Sequence, residues 1–383
     1  MVGGGQLARM MTPAATALGL HLRVLVESDT ASAARVVVDS PVGEPRVAGH
    51  VLDLVSGGPG GQRADVLTFE HEHIPADVLA QVEALGVPVR PGPEALRHAQ
   101  DKIVMRRRLT ELSVPCPRWA PVPDAAALDD FLAEVGGEAV VKTSRGGYDG
   151  KGVRVVLASA QVSDWFAAAA DGGPALLAEE KVPFARELAV LLARRPSGEI
   201  AVWPVVQTIQ VDGVCAEVLA PAPDLDPAIE RQAVLAAVAV AEGIDATGVL
   251  AVELFEVPAR GESPAHVVVN ELAMRPHNTG HWTIDGSTTN QFEQHLRAVL
   301  DLPLGATGCR DEWSVMVNIL GGPTTGDLVD RYPHAFTDEP SVKVHNYGKS
   351  PRPGRKVGHV TAGGDDLDQV VFQARAAAEH YQN

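Results

Sequence analysis

Cysteine is scarce in this chain. Three residues in 383, Cys116, Cys215 and Cys309, lie far apart and form no C-x-x-C pair. That excludes a disulfide framework and a thiolate zinc or redox site, and it fits a reducing compartment. Positive charge is also in deficit: 32 Lys and Arg face 49 Asp and Glu, a net charge of -17. So acidic a surface has no overall attraction for nucleic acid or for an anionic membrane, and any cationic loop must act locally. The longest apolar run, "AVLAAVAVA" at 233–241, is too short to cross a bilayer, and its alanines predict a packed helix. The N-terminus has no basic segment followed by an apolar one, so no secretion signal is expected. A cytoplasmic α/β protein is the expectation, with a hydrophobic content of 45% that suffices for two or three cores.

Residues 1–100 alternate helix and strand. "VGGGQLARMMTPAATALG" reads as a glycine turn opening a helix, "LRVLVES" and "ADVLTFE" as strands, and "ADVLAQVEALG" as a helix. This order predicts a parallel sheet with covering helices. Only Met1 and Val2 precede the glycine turn, where a buried strand is expected; either the start is placed late or this edge of the sheet is shortened. "DKIVMRRRLTELS" then forms a helical linker, and the prolines of "VPCPRWAPVP" mark a boundary. From 101 to 300 strands are more often joined by hairpins, at 139–143, 152–157, 175–180, 187–194, 200–206, 214–220, 248–257 and 266–272. A helix, "DPAIERQAVLAAVAVAEG", precedes the last two, so the pattern is α+β. Residues 301–383 contain short strands, "KVHNYG" and "KVGHVTA", and a closing helix.

Five constellations carry chemistry. The first, "VVKTSRGGYDGKGVRVV", joins two apolar strands by a glycine-rich cationic turn over 144–152, about twice as long as a tight hairpin needs. Backbone amides there can cradle phosphate oxygens while lysines add charge; a bare surface hairpin is the alternative. Secondly, Glu253 and the pair Asn270-Glu271 interrupt apolar strands, where a carboxylate is costly unless paired or metal-bound. Two carboxylates and an amide are hard oxygen donors of the kind that take Mg2+ together with phosphates. "RPHNTGHW" adds Arg275, His277, Asn278 and His281 just beyond the strand end. Thirdly, in "LLAEEKVPFARELAV", Glu179 and Glu187 could wall a nucleotide pocket; a solvated charge cluster is the other meaning. Fourthly, Lys102 and Lys142 can each reach a phosphate. Fifthly, "KVHNYGKSPRPGRKVGHV" gathers Lys343, Lys349, Arg352, Arg355 and Lys356 against the global sign, a candidate site for a phosphorylated substrate or a solvated basic face.

Taken in order, "GGGQLARM", "TFEHEHIP", "VVKTSRGGYDGKG", "NELAMRPHNTGHW" and "KVHNYGKSPRPGRKVGH" resemble the ATP-grasp superfamily over essentially the whole chain. Within it they look like the 5-(carboxyamino)imidazole ribonucleotide synthase family. The resemblance implies an ATP-grasp fold of mixed α/β and α+β type. A Rossmann-like domain would span 1–100, an ATP-grasp domain with its lid 101–300, and a small domain completing the substrate site 301–383. It implies ligation of bicarbonate to 5-aminoimidazole ribonucleotide in purine biosynthesis, with ATP split to ADP and phosphate through carboxyphosphate. By position, Lys102, Lys142, the loop Gly147, Tyr148, Asp149, Gly150, Lys151, Gly152 and Val153, the run Glu179, Glu180, Lys181 and Val182, and Glu187 and Gln207 would hold ATP. Glu253 and Glu271, with Asn270, would hold Mg2+, or Mn2+ in its place. Tyr148, Asp149, Lys151, Arg275, His277, Lys349 and Arg355 would face ribonucleotide and bicarbonate, with Arg275, Lys151 and Lys349 catalytic. Gln6, Leu7 and Glu70 would line the substrate's side. Relatives are dimers, so a homodimer is expected. Gln207 stands where some relatives have histidine, and Lys102 and Lys151 where some have arginine. Three other readings compete: another ATP-grasp ligase, such as a formate-dependent glycinamide ribonucleotide transformylase or a biotin carboxylase; a dehydrogenase built on "GGGQLA" with Glu27 closing the next strand; and a nucleotide sensor without turnover.

Overall fold

The computed structural model describes residues 1–57, 61–147 and 151–382. The first hundred residues form a parallel sheet held by single bridges. Val2 pairs with both Leu25 and Phe69, Arg23 and Val26 pair with Asp39 and Val42, and Leu67 pairs with Val89. Val2 therefore lies in the middle of the sheet, not at a shortened edge. α1 (Gln6–Ala17) covers one face, burying Leu7, Ala8 and Met11 beside Val24 and Val26. α2 (Ala48–Ser56), α3 (Ala76–Ala84) and α4 (Pro93–Gln100) complete this unit, with Val51, Leu54, Val78 and Leu79 packed on Leu25, Leu67 and Phe69.

α5 (Lys102–Glu111) follows at once, its first turn capped by the Asp101 carboxylate, which accepts from the Ile103 and Val104 amides. β1 (Trp119–Pro121), β2 (Ala139–Thr143), β3 (Val153–Val156) and β4 (Leu176–Glu180) make a four-stranded antiparallel sheet in the order β1-β4-β2-β3. α6 (Ala125–Glu134) packs on one face of it through Leu128, Phe131 and Leu132, with α7 (Ser163–Ala170) alongside. That leaves the other face, with Val140, Lys142, Val153 and Glu179, for a ligand; cross-strand partners share a face.

The second sheet has nine strands: β5 (Arg186–Arg194), β6 (Ile200–Val202), β7 (Val206–Val211), β8 (Val214–Ala220), β9 (Gly248–Val257), β10 (His266–Ala273), β11 (Trp313–Leu320), β12 (Lys343–Asn346) and β13 (Lys356–Gly364). Their order is β10-β9-β5-β7-β8-β11-β13-β12, with β6 on β5. The tail strands thus extend the central sheet. Two expectations are corrected. The run 200–206 divides around Trp203, which turns inward to bond the Ser287 hydroxyl, and β7 is a separate strand. β11 was not anticipated. α8 (Pro227–Gly243) buries Ala233, Ala237, Val240 and Ala241, as its alanines predict. α9 (Thr283–Gly286), α10 (Gln291–Val299), α11 (Tyr332–Asp338) and α12 (Leu367–Glu379) cover the rest. Among the described residues no helix is long and apolar enough to cross a membrane.

Two polar contacts join these layers. Arg106 of α5, fully buried, donates through Nε to Glu179 of β4 at 2.8 Å and through its other nitrogens to the Val269 and Asn270 carbonyls of β10. One side chain therefore ties helix, small sheet and large sheet together. His295 of α10 accepts from the Val249 amide through Nδ1, so its Nε2 carries the proton and donates to the Thr68 hydroxyl at 2.7 Å. Burial pushes the His295 pKa down to about 3, which keeps the ring neutral.

Replacing Arg106 by Leu should cost about 3–5 kcal/mol, read from the urea midpoint, because it strands a buried carboxylate and two carbonyls. The second expectation concerns acid. His295 has a folded pKa below its ordinary 6.5, so the unfolded chain alone takes up a proton as pH falls. Stability from this group is complete above about pH 6.5 and declines below it by about 1.4 kcal/mol per unit towards pH 3. His295→Gln should therefore lose less stability than the parent chain between pH 7 and pH 5 in urea titrations.

Candidate active site

The cleft between the sheets is lined by polar groups that the strand pattern alone would bury. β9 and β10 pair antiparallel, with Glu253 opposite Glu271 and a register shift between Val269 and Glu271. Such a bulge inserts one residue and re-aims its neighbours. Here it lets two consecutive residues, Asn270 and Glu271, face the cleft. Glu187 of β5 is opposite Phe255, two residues from Glu253, and so joins the same face. Burial first, then the Glu271 and Glu187 carboxylates, push the Glu253 pKa up to about 8. Burial likewise raises that of Glu187.

Cations answer these carboxylates. Lys102, at the start of α5, places Nζ 2.8 Å from Glu271 Oε1. Lys142, at the end of β2, reaches Glu179 Oε2 at 2.8 Å and Asn270 Oδ1 at 3.2 Å. Burial alone would raise the Glu179 pKa, but Lys142 and Arg106 outweigh it and hold it at about 2. The donor set suits a hard divalent ion: two facing carboxylates and an amide oxygen. No group of three or more His, Cys, Asp or Glu among the described residues could hold a metal by itself, so an ion here would complete its shell with oxygens of a bound phosphate.

The wall formed by 179–182 differs in detail from expectation. Glu179 is committed to Arg106 and Lys142. Glu180 bonds the Arg118 amide and guanidinium, and Lys181 pairs with Glu138 at 2.8 Å. This segment can therefore offer backbone groups and Val182, but not those three side-chain heads. Phe184 stacks on Phe255 with ring centroids 4.5 Å apart, giving an apolar plate on the face of Glu187. Gln207 is a correction. It pairs with Leu188 and bonds Arg186 Nη1, so it sits on the far side of the sheet from Glu187, whereas Thr208 shares the cleft face. Gly147, Lys151, Gly152 and Val153 frame the hairpin at the mouth, Gly152 at φ 71° and with no room for a Cβ beside the Thr143 hydroxyl. Tyr148, Asp149 and Gly150 lie outside the described residues.

A third group of side chains closes the cleft from the N-terminal unit and the tail. Arg275 donates from Nε to Glu72 Oε2 at 3.0 Å, and the Met274 amide donates to the other oxygen of Glu72. His277 lies with Nε2 3.7 Å from Glu253 Oε1; burial and the Arg275 charge push its pKa well down, so it is neutral. Lys349 donates to the Gln6 side-chain oxygen and lies over the Tyr347 ring. Arg355 donates to the Ser350 carbonyl at 3.2 Å. Glu70 accepts from the Ala8 amide in the first turn of α1, and burial, with Glu27 nearby, lifts its pKa to about 7. Leu7 is a second correction: its side chain is 6% exposed and packs in the core beneath α1, because the residue after Gln6 is turned about 100° around the helix. Sequence reasoning missed Arg106, Glu72, Phe184 and Thr208. It also passed over Phe255, the one such residue open to inference, from its spacing of two from Glu253.

Three family models match the chain in sequence: a ribonucleotide synthetase preATP-grasp domain at 1–100, an ATP-grasp domain at 107–292, and a phosphoribosylaminoimidazole carboxylase C-terminal domain at 314–373. The N5-carboxyaminoimidazole ribonucleotide synthase of Mycobacterium tuberculosis is 48% identical over 99% of this chain and 86% of its own length. That of Corynebacterium ammoniagenes is 45% identical over 100% and 91%. The crystal structure of the Thermus thermophilus synthetase superposes with a TM-score of 0.85 at 36% identity, covering 100% of this chain and 99% of the other. The Aspergillus clavatus enzyme, solved with ADP and 5-aminoimidazole ribonucleotide, gives 0.85 at 28% identity over 99% and 97%. The chain belongs to the N5-carboxyaminoimidazole ribonucleotide synthase family of ATP-grasp enzymes.

Proposed function

We propose that this chain joins bicarbonate to the amine of 5-aminoimidazole ribonucleotide, splitting ATP to ADP and phosphate and releasing 5-(carboxyamino)imidazole ribonucleotide. The observation that carries this is the meeting, in one cleft, of the Glu253 and Glu271 pair with Lys102 and Lys142 on one side and Arg275 and Lys349 on the other. Phosphoryl transfer asks a protein for positioning and charge neutralisation, not for a covalent nucleophile. Lys102 and Lys142 meet the phosphates, Phe184 and Phe255 the base, and Glu187 the ribose. Glu253, Glu271 and Asn270 hold Mg2+, or Mn2+, which when bound neutralises phosphate charge. A bicarbonate oxygen attacks the γ-phosphorus as ADP leaves, giving carboxyphosphate beside Arg275; the ribonucleotide amine then bonds to its carbon as inorganic phosphate leaves and the amine gives up a proton.

Carboxyphosphate hydrolyses in water, which makes closure of the 144–152 hairpin a chemical requirement. Lys151, at the described end of that hairpin, faces the second substrate. Gln6, Lys349 and Arg355 hold the ribonucleotide from the N-terminal unit and the tail. The protein works in the cytoplasm as a homodimer.

ADP release, followed with and without bicarbonate and 5-aminoimidazole ribonucleotide, tests the reading. Release that needs both supports it, whereas turnover with glycinamide ribonucleotide and formate alone sinks it. Glu271→Gln should lower ATP turnover by about 100-fold or more while circular dichroism stays unchanged. Arg355→Ala should raise the KM for the ribonucleotide about tenfold, the loss of one charge-assisted bond, with the KM for ATP moving far less.

A further inference from the structure

The loop after β10 is shaped by one amide on another element. Gln291 opens α10 and is fully buried. Its Oε1 accepts from the His277 amide at 2.8 Å, and its Nε2 donates to the His277 carbonyl at 2.9 Å and to His281 Nδ1 at 2.8 Å. The backbone N–H of Gln291 donates to the Thr283 hydroxyl at 3.0 Å, which donates to the Gly280 carbonyl at 2.6 Å. His277 lies beyond the end of β10 at Ala273, where a strand ladder no longer meets its backbone groups. The Gln291 side chain takes the ladder's place and meets both the N–H and the C=O. Space around it is closed: a Cβ on Gly280 would lie 2.5 Å from Gln291 Oε1 and 2.6 Å from Leu191 Cδ2.

A carboxamide of this length is what the contact requires. It needs an acceptor for one N–H and two donors, one for a carbonyl and one for an imidazole nitrogen. An ionised Glu lacks the donors, and Met, of similar length, lacks all three functions. The same pattern fixes the His281 ring: Nδ1 accepts, so Nε2 carries the proton, and burial holds the ring's pKa well below its ordinary value. α10 is itself anchored to the N-terminal unit, by His295 on Thr68 and by Arg90 Nη1, which donates to the Val299 carbonyl at 2.7 Å. The position of that unit is thereby passed to the backbone of His277. Arg275 and His277 flank Pro276, whose ring fixes its φ, and they reach Glu72 and Glu253 across the cleft. Holding His277 therefore leaves Arg275 little freedom.

We propose that Gln291 is a positioning residue for the carboxylation: its amide sets the backbone of His277, and with it the Arg275 and His277 side chains in the cleft, without touching a substrate. This rests on bicarbonate and 5-aminoimidazole ribonucleotide being the substrates. Two variants of similar size test it. Gln291→Glu keeps the acceptor and loses the donors, and Gln291→Met loses all three contacts. kcat and the KM values for ATP and ribonucleotide are measured beside NMR spectra of the histidine ring nitrogens, which read the His281 tautomer. Gln291→Met should lower kcat about 100-fold, the cost of a misplacement of about 1 Å. Gln291→Glu should lower it about tenfold, and the KM for ATP should move less than about twofold in both. His281, protonated at Nε2 in the parent chain, should lose that single tautomer in Gln291→Met. A kcat within about twofold of the parent in both folded variants overturns the proposal. So does an unchanged His281 spectrum in Gln291→Met, or a kcat loss matched by an equal rise in the KM for ATP, which marks a general loosening of the fold. If neither variant folds, Gly280→Ala, which forces the same amide aside, replaces them, and a parental kcat in it has the same consequence. If the parent chain instead turns over glycinamide ribonucleotide with formate, the substrate assignment falls, and the kcat ratio with that pair decides the role of Gln291.

Discussion

Glu179 is a carboxylate almost entirely withdrawn from water, and it remains ionised only because two cations reach it. The energetic stakes are high: breaking a buried pair costs far more than the pair contributes relative to an apolar substitute. What the contact secures is geometry. Arg106 brings α5 and the β10 carbonyls to one oxygen, and Lys142 brings the end of β2 to the other. Lys142 and Asn270 are consequently held 3.2 Å apart across the cleft before any ligand arrives. The two sheets face each other in register because a charge between them has nowhere else to go.

The carboxylates on the opposite wall follow the reverse logic. Glu253 and Glu271 face each other with less compensation, and burial first, then the Glu271 charge, raises the pKa of Glu253 to about 8. Lys102 answers Glu271 alone. A triphosphate entering with a divalent ion would exchange partners throughout, the ion going to the carboxylates and Lys102 to a phosphate. The number of charge contacts need not fall in that exchange, so binding escapes the cost of leaving an unpaired charge buried. Glu179 takes no part in it, since both of its cations hold it in place. One wall is rigid and the other exchangeable, which is what a site requires if it must bind and release nucleotide every turnover.

The sequence revealed those features whose chemistry is local. Glu253, Asn270 and Glu271 stood out because each interrupts an apolar strand, and "RPHNTGHW" because four polar residues follow a strand end. Features that depend on pairing were not legible. Arg106 belongs to "RRR" in a helix that reads as a solvated basic surface, and its partner Glu179 lies 73 residues away on another sheet. Gln207 and Thr208 are adjacent, and only the register with β5 decides which of them faces the cleft; a shift of one residue reverses the answer. β11 is a mostly apolar run broken by Ser314 and Asn318, which by periodicity alone resembles a buried helix segment as much as a strand. Gln291 carried no signal, since its amide meets His277 only when the loop folds back over α10.

Assembly from distant segments matters further because of the net charge of -17. At long range this protein repels both of its anionic substrates. Screening confines that repulsion to about 8 Å at physiological ionic strength, so what happens inside the cleft is set by the few groups within that distance. Lys349 comes from the tail, Arg275 from the loop after β10, Lys102 from the linker helix, and Lys142 from the small sheet. None lies near enough to the others in sequence to form a basic patch in the unfolded chain. On the proposed reading, the fold itself creates the anion site, by drawing single cations out of four segments of an otherwise acidic polymer. An acidic exterior keeps unrelated anions away, and a positive interior built this way admits those whose phosphates are spaced to meet several cations at once.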